Sequence, residues 1–178
     1  STQLSFDGIS GDLSDYGDLT NFRGSIFTLI SGDGNDEFRS GVGDEPDFLY
    51  FNGGAPNRGN HSTMNVSEME GVVKFEATGA GILEVDAVTN NSSIHPLLYK
   101  LNADGTTVTV TEYTDLDTAA RKVFSIPISE AGTYYVGFRT NGHKIYSLNM
   151  VYSGDEAHQA NSATTYFQTY AGDMSYVQ

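Results

Sequence analysis

The chain has 178 residues, 38% of them hydrophobic and 12% aromatic, which are values of a globular protein rather than a disordered one. It has no cysteine, which excludes disulfides, a thiolate nucleophile and cysteine-ligated zinc. The net charge of −14 argues against nucleic acid and anionic membrane surfaces as partners. No apolar run reaches the roughly 20 residues that a bilayer-spanning helix needs. Frequent Gly, Thr, Asn, Asp and Tyr with few Lys is a balance typical of secreted bacterial proteins, so we expect an extracellular location.

Residues 1–47 form a polar, glycine-rich N-terminal region in which only "FRGSIFTLI" (22–30) is apolar enough to be a strand. The segment "GDLSDYGDL" spaces Asp12, Asp15 and Asp18 three apart, as one helical turn would, but its glycines favour a loop. We therefore treat this region as an extension of the domain that follows it.

The acidic stretch "SGDGNDEFRSGVGDEPDF" (31–48) contains candidate calcium ligands. Calcium is bound by six to eight oxygens, and carboxylates and amides on a tight glycine-bearing loop can supply them. The spacing of an EF-hand is absent, and a solvated acidic loop without metal is the alternative. A bound calcium would be structural, and it would relieve repulsion between neighbouring carboxylates. The predicted ligands are Asp33, Asn35, Asp36, Glu37, Asp44 and Asp47, with Glu45 beside them.

Residues 48–152 alternate between apolar and polar side chains in short runs that are separated by turn signals. In "VVKFEAT" and "ILEVDAV" every second residue is apolar, and "GAG" separates the two runs. "PLLYKL", "TTVTVTEY", "KVFSIPI", "GTYYVGF" and "KIYSLNMVY" continue the series, with Asp-Gly and Asn-Gly turns between some of them. The pattern predicts an all-β, antiparallel, jelly-roll-like β-sandwich, with a barrel as the alternative.

The sequence predicts little helix. No segment has the pattern of a helix longer than two turns, although "LDTAARKV" (116–123) could form a short one. The last segment, residues 153–178, is predicted to be a linker or an arm packed on the domain, because "SGDEAHQANSATTY" is polar while "TTYFQTY" could form a strand.

Catalytic motifs are missing from the sequence. There is no G-x-S-x-G nucleophile elbow and no H-E-x-x-H metal pattern, and the four histidines fall in predicted loops. Carboxylate pairs suited to glycoside cleavage occur by chance among 23 acidic residues, so they carry little weight. We therefore predict a non-catalytic protein.

The aromatic residues suggest a ligand. Alternation in "GTYYVGF" places Tyr134 on the buried face, where it resembles the tyrosine of a sandwich corner, and turns Tyr135 outward with Arg139. An exposed ring stacks on sugar C–H faces while neighbouring polar groups bind hydroxyls. The alternative is that Tyr135 packs beneath a loop or a second layer. The loop "RTNGHK" adds Asn141 and His143 as polar candidates, although it could be an ordinary Asn-Gly turn.

The predicted carbohydrate-binding residues are Tyr135, Arg139, Asn141, His143 and Tyr113.

The segments "VKFEATGAGILEVDAV", "LYKLNADGT" and "FSIPISEAGTYYVGFRTNGHKIYSLNMVY" resemble the β-sandwich modules appended to bacterial pectate lyases and related secreted polysaccharide-degrading proteins. The shared features are a glycine turn between two strands, a strand ending in an N-x-D-G turn, and "AGTYY" followed by an "IY" strand. The similarity covers about residues 48–152.

This resemblance implies a non-catalytic carbohydrate-binding module that tethers a secreted glycan-degrading protein to polysaccharide. The expected partners are a neutral glycan rather than pectin, since few Lys and Arg are available for a polyuronate, and other modules of the same polypeptide, as in a cellulosome-like system. The alternatives are a calcium-stabilised structural or adhesive spacer and a small polysaccharide lyase or hydrolase.

Overall fold

The computed structural model describes residues 1–32, 36–53, 55–56, 62–90, 95–139 and 142–154. Within those ranges the regular secondary structure is almost entirely antiparallel β-strand in two sheets, which confirms the predicted β-sandwich. The strands are β1 (Gln3–Ser5), β2 (Gly11–Asp12), β3 (Phe27–Ile30), β4 (Glu37–Arg39), β5 (Phe48–Phe51), β6 (Thr63–Asn65), β7 (Val72–Ala77), β8 (Gly81–Thr89), β9 (Pro96–Leu101), β10 (Thr107–Glu112), β11 (Lys122–Ile128), β12 (Gly132–Phe138) and β13 (His143–Tyr152).

The two sheets interleave strands from distant parts of the chain. The seven-stranded sheet has the order β11-β8-β13-β5-β4-β2, with β1 paired to β13. The six-stranded sheet has the order β3-β7-β12-β9-β10-β6. The N-terminal region thus contributes β1, β2 and β4 to one sheet and β3 to the other, so it is built into the sandwich.

The main core lies between the sheets and consists of the side chains that the period-two alternation turns inward. In β7, Val73, Phe75 and Ala77 face this core, as the sequence predicted. The predicted tyrosine corner is also present, because the Tyr134 hydroxyl donates a hydrogen bond to the Glu130 carbonyl oxygen at 2.8 Å. The Tyr134 ring stacks on Phe75 with centroids 5.5 Å apart.

A second, smaller hydrophobic cluster covers part of the outer face of the six-stranded sheet. It forms where Ala55, Val66 of the 3₁₀ turn Val66–Glu68, and Met69 pack with outward-facing side chains of that sheet, among them Met64 of β6. Its buried members are Ala55, Met64, Met69, Val72, Leu97, Tyr99, Val108 and Tyr135. Outward-facing side chains of the six-stranded sheet are therefore buried at this cluster.

Short 3₁₀ turns supply the helical structure in the N-terminal region. Leu13–Tyr16 forms one such turn, where the sequence left a choice between a helical turn and a loop, and Gly17 at φ 68° ends it. Phe22–Gly24 forms another. None of the helices in the described ranges has the length and apolar character needed to cross a membrane.

The short helix predicted in 116–123 is wrong. The side chain of Asp117 accepts a hydrogen bond from the backbone N–H of Ala119, which forms a local turn instead. Thr118 is fully buried, and its carbonyl oxygen accepts a hydrogen bond from the backbone N–H of Thr89 at 2.8 Å. Lys122 then begins β11. Tertiary hydrogen bonds therefore override the local helical pattern. The predicted C-terminal linker or arm from residue 155 onward lies outside the described residues.

Candidate functional site

The predicted sugar-binding residues that the structure describes do not come together as one open surface. Tyr135 is on the outward-facing side of β12, as the alternation predicted, but only 5% of it is exposed. It belongs to the small outer cluster, together with Ala55, Met69 and Tyr99. The expectation that Tyr135 projects into solvent is therefore wrong, and the alternative of a ring packed beneath another segment is the observed arrangement.

His143 is fully buried, which corrects its assignment to an exposed polar loop. As the first residue of β13 it pairs with Phe51 of β5 and Thr89 of β8. Its ring lies 4.8 Å from the Phe138 ring centroid and 5.6 Å from that of Phe51. Strand pairing extends one residue further into the predicted loop than the Asn-Gly turn suggested, and it draws this side chain into the interior.

Arg139 and Tyr113 follow the ends of β12 and β10, at the same end of the six-stranded sheet, but their side chains lie on opposite faces of it. Arg139 Nη1 donates to Glu112 Oε2 at 2.7 Å, on the outer side. Tyr113 packs against the main core instead, and burial raises its pKa. Asn141 lies outside the described residues. Arg139 and Tyr113 are the partly exposed members of the predicted set in the described ranges, and the Arg139 guanidinium already has a carboxylate partner.

The acidic stretch contains carboxylates that are used as structural acceptors. Asp36 is 4% exposed, and its two oxygens accept hydrogen bonds from the backbone N–H groups of Gly32 (2.7 Å) and Asn52 (3.1 Å) and from the Ser31 hydroxyl (3.1 Å). A buried carboxylate is stabilised by such donors. Asp36 therefore ties the loop after β3 to the end of β5.

The other predicted calcium ligands in the described ranges are dispersed. Glu37 forms an ion pair with Arg39, and Asp44 is exposed on a different loop. Asp47 accepts hydrogen bonds from the backbone N–H groups of Gly8 (2.8 Å) and Gly41 (3.0 Å), which lower its pKa. No three acidic or histidine side chains of the described ranges are placed so that they could share a metal ion. Asp33 and Asn35 lie outside those ranges.

A different surface gathers polar and aromatic groups on the outer side of the seven-stranded sheet. In β5, Leu49 and Phe51 face the core, so Phe48 and Tyr50 face outward. Lys144 of β13 and Glu37 of β4 lie directly opposite Tyr50 on either side. We call this surface the cation–aromatic face, and its members are Glu37, Arg39, Glu45, Phe48, Tyr50, Asp86, Arg121, Lys144 and Tyr146.

Each cation of this face is held by a ring. The guanidinium carbon of Arg39 lies 3.9 Å from the Tyr50 ring centroid, and that of Arg121 lies 4.3 Å from the Tyr146 centroid. Lys144 Nζ lies 4.6 Å from the Phe48 centroid. Such contacts contribute about 0.5–1 kcal/mol each at exposed sites. They fix the positions of long side chains that would otherwise be mobile.

Each cation is also held by a carboxylate. Arg121 binds Asp86 through two hydrogen bonds of 3.0 and 2.8 Å, and Arg39 Nη2 donates to Glu37 at 3.0 Å. The cation side chains keep 36–42% of their surface exposed. The face therefore presents charged hydrogen-bonding groups to solvent in fixed positions, while its three positive charges are matched by three negative ones.

Glu45 joins two of these units. Its Oε2 atom accepts hydrogen bonds from Lys144 Nζ at 2.8 Å and from the Tyr146 hydroxyl at 2.6 Å. These two donors lower the pKa of Glu45 to about 2. Burial, and then the bond to Glu45, raises the pKa of Tyr146 above its ordinary value. The loop between β4 and β5, which was predicted to hold metal, thus carries a carboxylate that fastens the loop to β13.

Sequence reasoning missed this face. It attributed an outward aromatic residue beside an arginine to β12, whereas the structure shows that arrangement at Tyr50 and Arg39. The available signal was "FLYF" (48–51), where alternation leaves two aromatic side chains on the face opposite the core. Tyr146 gave no such signal, because a register irregularity between Ile145 and Ser147 interrupts the alternation.

No family model matches the chain, and no curated protein matches it. Among solved structures it is similar to the C-terminal CBM6 of LamC, a marine laminarinase from Zobellia galactanivorans. The two are 11% identical with a TM-score of 0.37, and the match covers 69% of this chain and 91% of that one. It is also similar to the carbohydrate-binding module CBM6cm-2 of Cellvibrio mixtus lichenase 5A, in complex with cellotriose. There the identity is 11%, the TM-score 0.30 and the coverage 65% and 84%. Likenesses of this degree assign neither family nor ligand to this chain.

Proposed function

We propose that the protein is a non-catalytic carbohydrate-binding module that binds polysaccharide along the cation–aromatic face. The observation that carries the proposal is the triple arrangement in which Arg39, Arg121 and Lys144 are each fixed by a ring and a carboxylate. A ligand that meets polar side chains already held in position loses less conformational entropy on binding. Sugar hydroxyls both donate and accept hydrogen bonds, so they suit a surface that alternates cations with carboxylates.

The dimensions of the face suit an extended chain rather than a small molecule. It runs across β4, β5, β13 and β8, and neighbouring strands in a sheet lie about 4.8 Å apart, so it spans about 14 Å. Tyr50 is half-buried under Arg39, so a sugar could reach its ring edge and the guanidinium together. We expect a shallow site of modest affinity.

Charge favours a neutral glycan as the ligand. The cations of the face are already balanced by Glu37, Glu45 and Asp86, and the chain as a whole carries a net charge of −14. A polyuronate would meet long-range repulsion without gaining unpaired cations. A neutral polysaccharide is not repelled by the net negative charge of the protein.

Affinity electrophoresis tests this proposal. Native gels that contain a β-glucan, xylan, mannan, galactan or polygalacturonate should show retardation in at least one neutral polymer and none in polygalacturonate. Tyr50→Ala and Arg39→Gln should each raise the apparent Kd about fivefold, since a hydrogen bond that replaces an existing one, or contact with a partly covered ring, is worth about 1 kcal/mol net. Lys100→Gln is the matched control, because it removes the cation of an exposed ion pair with Glu130 elsewhere.

The outcomes separate the alternatives. Absence of retardation in every gel would contradict a binding module and favour a structural spacer. Release of reducing ends or unsaturated products from any of these polymers would reveal an enzyme. Equal retardation of Arg39→Gln and Lys100→Gln would place binding somewhere other than the cation–aromatic face.

We further propose that the module is secreted by a bacterium and tethers a glycan-degrading protein, or a cellulosome-like assembly, to its substrate. The composition and the resemblance of residues 48–152 to modules of such proteins support this proposal. Tethering raises the effective concentration of an attached partner even when the affinity of the site is modest. Fusion of the chain to a heterologous glycan hydrolase should speed degradation of insoluble, but not soluble, polysaccharide.

Structural calcium remains a proposal for the loop between β3 and β4. Asp33 and Asn35 are the candidate ligands that carboxylate and amide chemistry supports, and Asp36 is already engaged by backbone and hydroxyl donors. Excess chelator should lower the thermal midpoint, and added calcium should restore it. A thermal unfolding midpoint that is the same with and without chelator would contradict the calcium proposal.

A further inference from the structure

A groove of about 320 Å³ opens at the edge of the six-stranded sheet, away from the cation–aromatic face. Its floor is the outer face of β3 and β7, where Thr28 lies directly opposite Lys74. Its wall is formed by Ser1 and by the segment that precedes β3, of which Thr20, Asn21, Ser25 and Ile26 line the groove. This volume is at the small end of the range for ligand pockets, so it suits a single small unit rather than an extended chain.

The wall of the groove contains strained backbone. Asn21 (φ 45°) and Arg23 (φ 55°) are the non-glycine residues with positive φ in the described ranges. Such conformations cost of order 1–3 kcal/mol each and persist only where the surroundings enforce them. Strain of this kind concentrates at ligand sites, so its position beside a groove suggests a function.

Several contacts hold this strained turn in place. Arg23 donates from Nη1 to the Ser5 carbonyl oxygen at 3.0 Å and from Nη2 to that of Asp7 at 2.6 Å. Phe22 stacks on Phe38 with centroids 5.3 Å apart. The backbone N–H of Asn21 donates to the Thr28 hydroxyl oxygen at 3.1 Å, which joins the wall to the floor. The groove is therefore preformed.

The floor carries a cation and a carboxylate that do not pair with each other. Lys74 and Glu76 both point to the outer side of β7, since Val73, Phe75 and Ala77 face the core. Two residues apart in a strand, their Cα atoms lie about 7 Å from each other. Neither side chain has an ion pair or hydrogen bond with the described residues, whereas other cations such as Arg39, Lys100 and Arg121 have carboxylate partners.

We propose that this groove binds one neutral sugar unit, with two neighbouring hydroxyls held between Lys74 and Glu76. A vicinal diol accepts a hydrogen bond from the ammonium with one oxygen and donates one to the carboxylate with the other. The Thr28 hydroxyl and the Asn21 amide supply further polar contacts at the wall. A uronate would gain the Lys74 charge but would face the unpaired Glu76 and the net charge of the chain.

This inference rests on the proposed function, since it adds a second subsite for a single sugar unit to a module that binds a glycan chain. The two sites lie on different sheets, so each can be tested without the other. Variants of Lys74 or Glu76 leave the cation–aromatic face intact, and variants of Tyr50 leave the groove intact.

NMR titration with methyl glycosides of glucose, galactose, mannose, xylose and glucuronic acid tests the groove. At least one neutral glycoside should shift the backbone amide signals of Thr28, Lys74 and Glu76. Lys74→Met, which keeps the aliphatic stem, and Glu76→Gln should each weaken that binding at least tenfold, since hydrogen bonds to charged groups are worth about 1.5–3 kcal/mol. Lys122→Met is the control, because it removes an exposed cation from the other sheet.

Three outcomes would overturn the proposal: no groove amide responds to any glycoside, the response is unchanged in both Lys74→Met and Glu76→Gln, or the glucuronide binds more tightly than every neutral glycoside. Thermal melts of the variants establish that each is folded. If the groove amides shift while no polysaccharide gel retards the protein, the proposed function is contradicted and the groove proposal is supported. If the gels retard the protein, Tyr50→Ala weakens that retardation and the groove amides do not shift, only the groove proposal is contradicted.

Discussion

Replacement of Glu45 by Gln should destabilise the fold in a manner that depends on pH. The pKa of this carboxyl falls from 4.5 to about 2 on folding, because Lys144 and Tyr146 donate hydrogen bonds to its charged form. One pKa unit corresponds to about 1.4 kcal/mol, so the folded state gains at most about 3 kcal/mol from this group at neutral pH. Since Glu45 is partly exposed, we expect a measured loss of about 2 kcal/mol.

The sign of the pH dependence follows from the depressed pKa. The stabilisation is fully present above pH 4.5, decreases as the pH falls below that value, and is lost as the pH passes through about 2. At pH 3 about half of it should remain. Urea unfolding of the wild type and Glu45→Gln between pH 3 and pH 7, followed by far-UV circular dichroism, measures the difference directly.

At pH 7 the midpoint temperature should fall by about 4–8 °C, given about 2–4 °C per kcal/mol for a domain of this size. A difference between the two proteins that stays constant from pH 7 to pH 3 would contradict the assignment of Glu45 as the titrating group. A difference below about 0.5 kcal/mol at pH 7 would show that solvent screens the contacts of this carboxylate with Lys144 and Tyr146.

Three further predictions concern the supports of this face and of the small outer cluster. Gly41→Ala should destabilise the fold, because a Cβ there would overlap the Glu45 carbonyl oxygen; thermal melts against Gly79→Ala, whose Cβ would meet nothing within 4 Å, measure the loss. Gly137→Ala should cost about 1–3 kcal/mol in urea unfolding, because its Cβ would come 2.7 Å from that of Ala55. In a spectrophotometric titration, Tyr146→Phe should remove a tyrosine whose pKa lies above the ordinary value, and loss of a tyrosine with an ordinary pKa would contradict the burial of Tyr146 and its hydrogen bond to Glu45.

Alternation of apolar and polar residues was sufficient to predict the sandwich and its main core. The buried partners along β7 and β8 have the inward positions that period-two patterning assigned to them. The Tyr134 corner was predicted from its place after a glycine turn, because that motif depends on local geometry. Features that depend on residues close together in the sequence could therefore be predicted from it.

The exposure of the outward side chains could not be predicted in the same way. Alternation states which side of a sheet a residue faces, but it does not state whether another segment lies over that side. Tyr135 faces outward in β12, yet it is buried in a cluster whose members Ala55, Met64 and Met69 lie more than sixty residues earlier in the chain. The apolar residues in "TMNVSEME" (63–70) were the available signal that this segment needs a surface to pack on.

The hydrogen-bond partners of the carboxylates in the acidic loop could not be predicted from the sequence either. Its carboxylates invited a metal because oxygen donors cluster in the sequence. In the described ranges the structure instead separates Asp36, Glu45 and Asp47, and each accepts hydrogen bonds from backbone or side-chain donors that are distant in sequence. A carboxylate can be satisfied by any of several donors, and only the tertiary fold decides which one is near.

The arrangement on the cation–aromatic face also bears on the strength of binding that we expect. Arg39 lies over the Tyr50 ring, so a sugar that stacks on this ring must displace a contact worth about 0.5–1 kcal/mol. Phe48 and Tyr146 are 4% and 5% exposed, so they support the cations rather than meet the ligand. Binding must then come mainly from hydrogen bonds to charged groups that already have partners, and each such exchange yields a small net gain. Such a face binds each sugar unit weakly. It still retains a long polysaccharide, because many sugar units along the polymer are equivalent and can bind in turn.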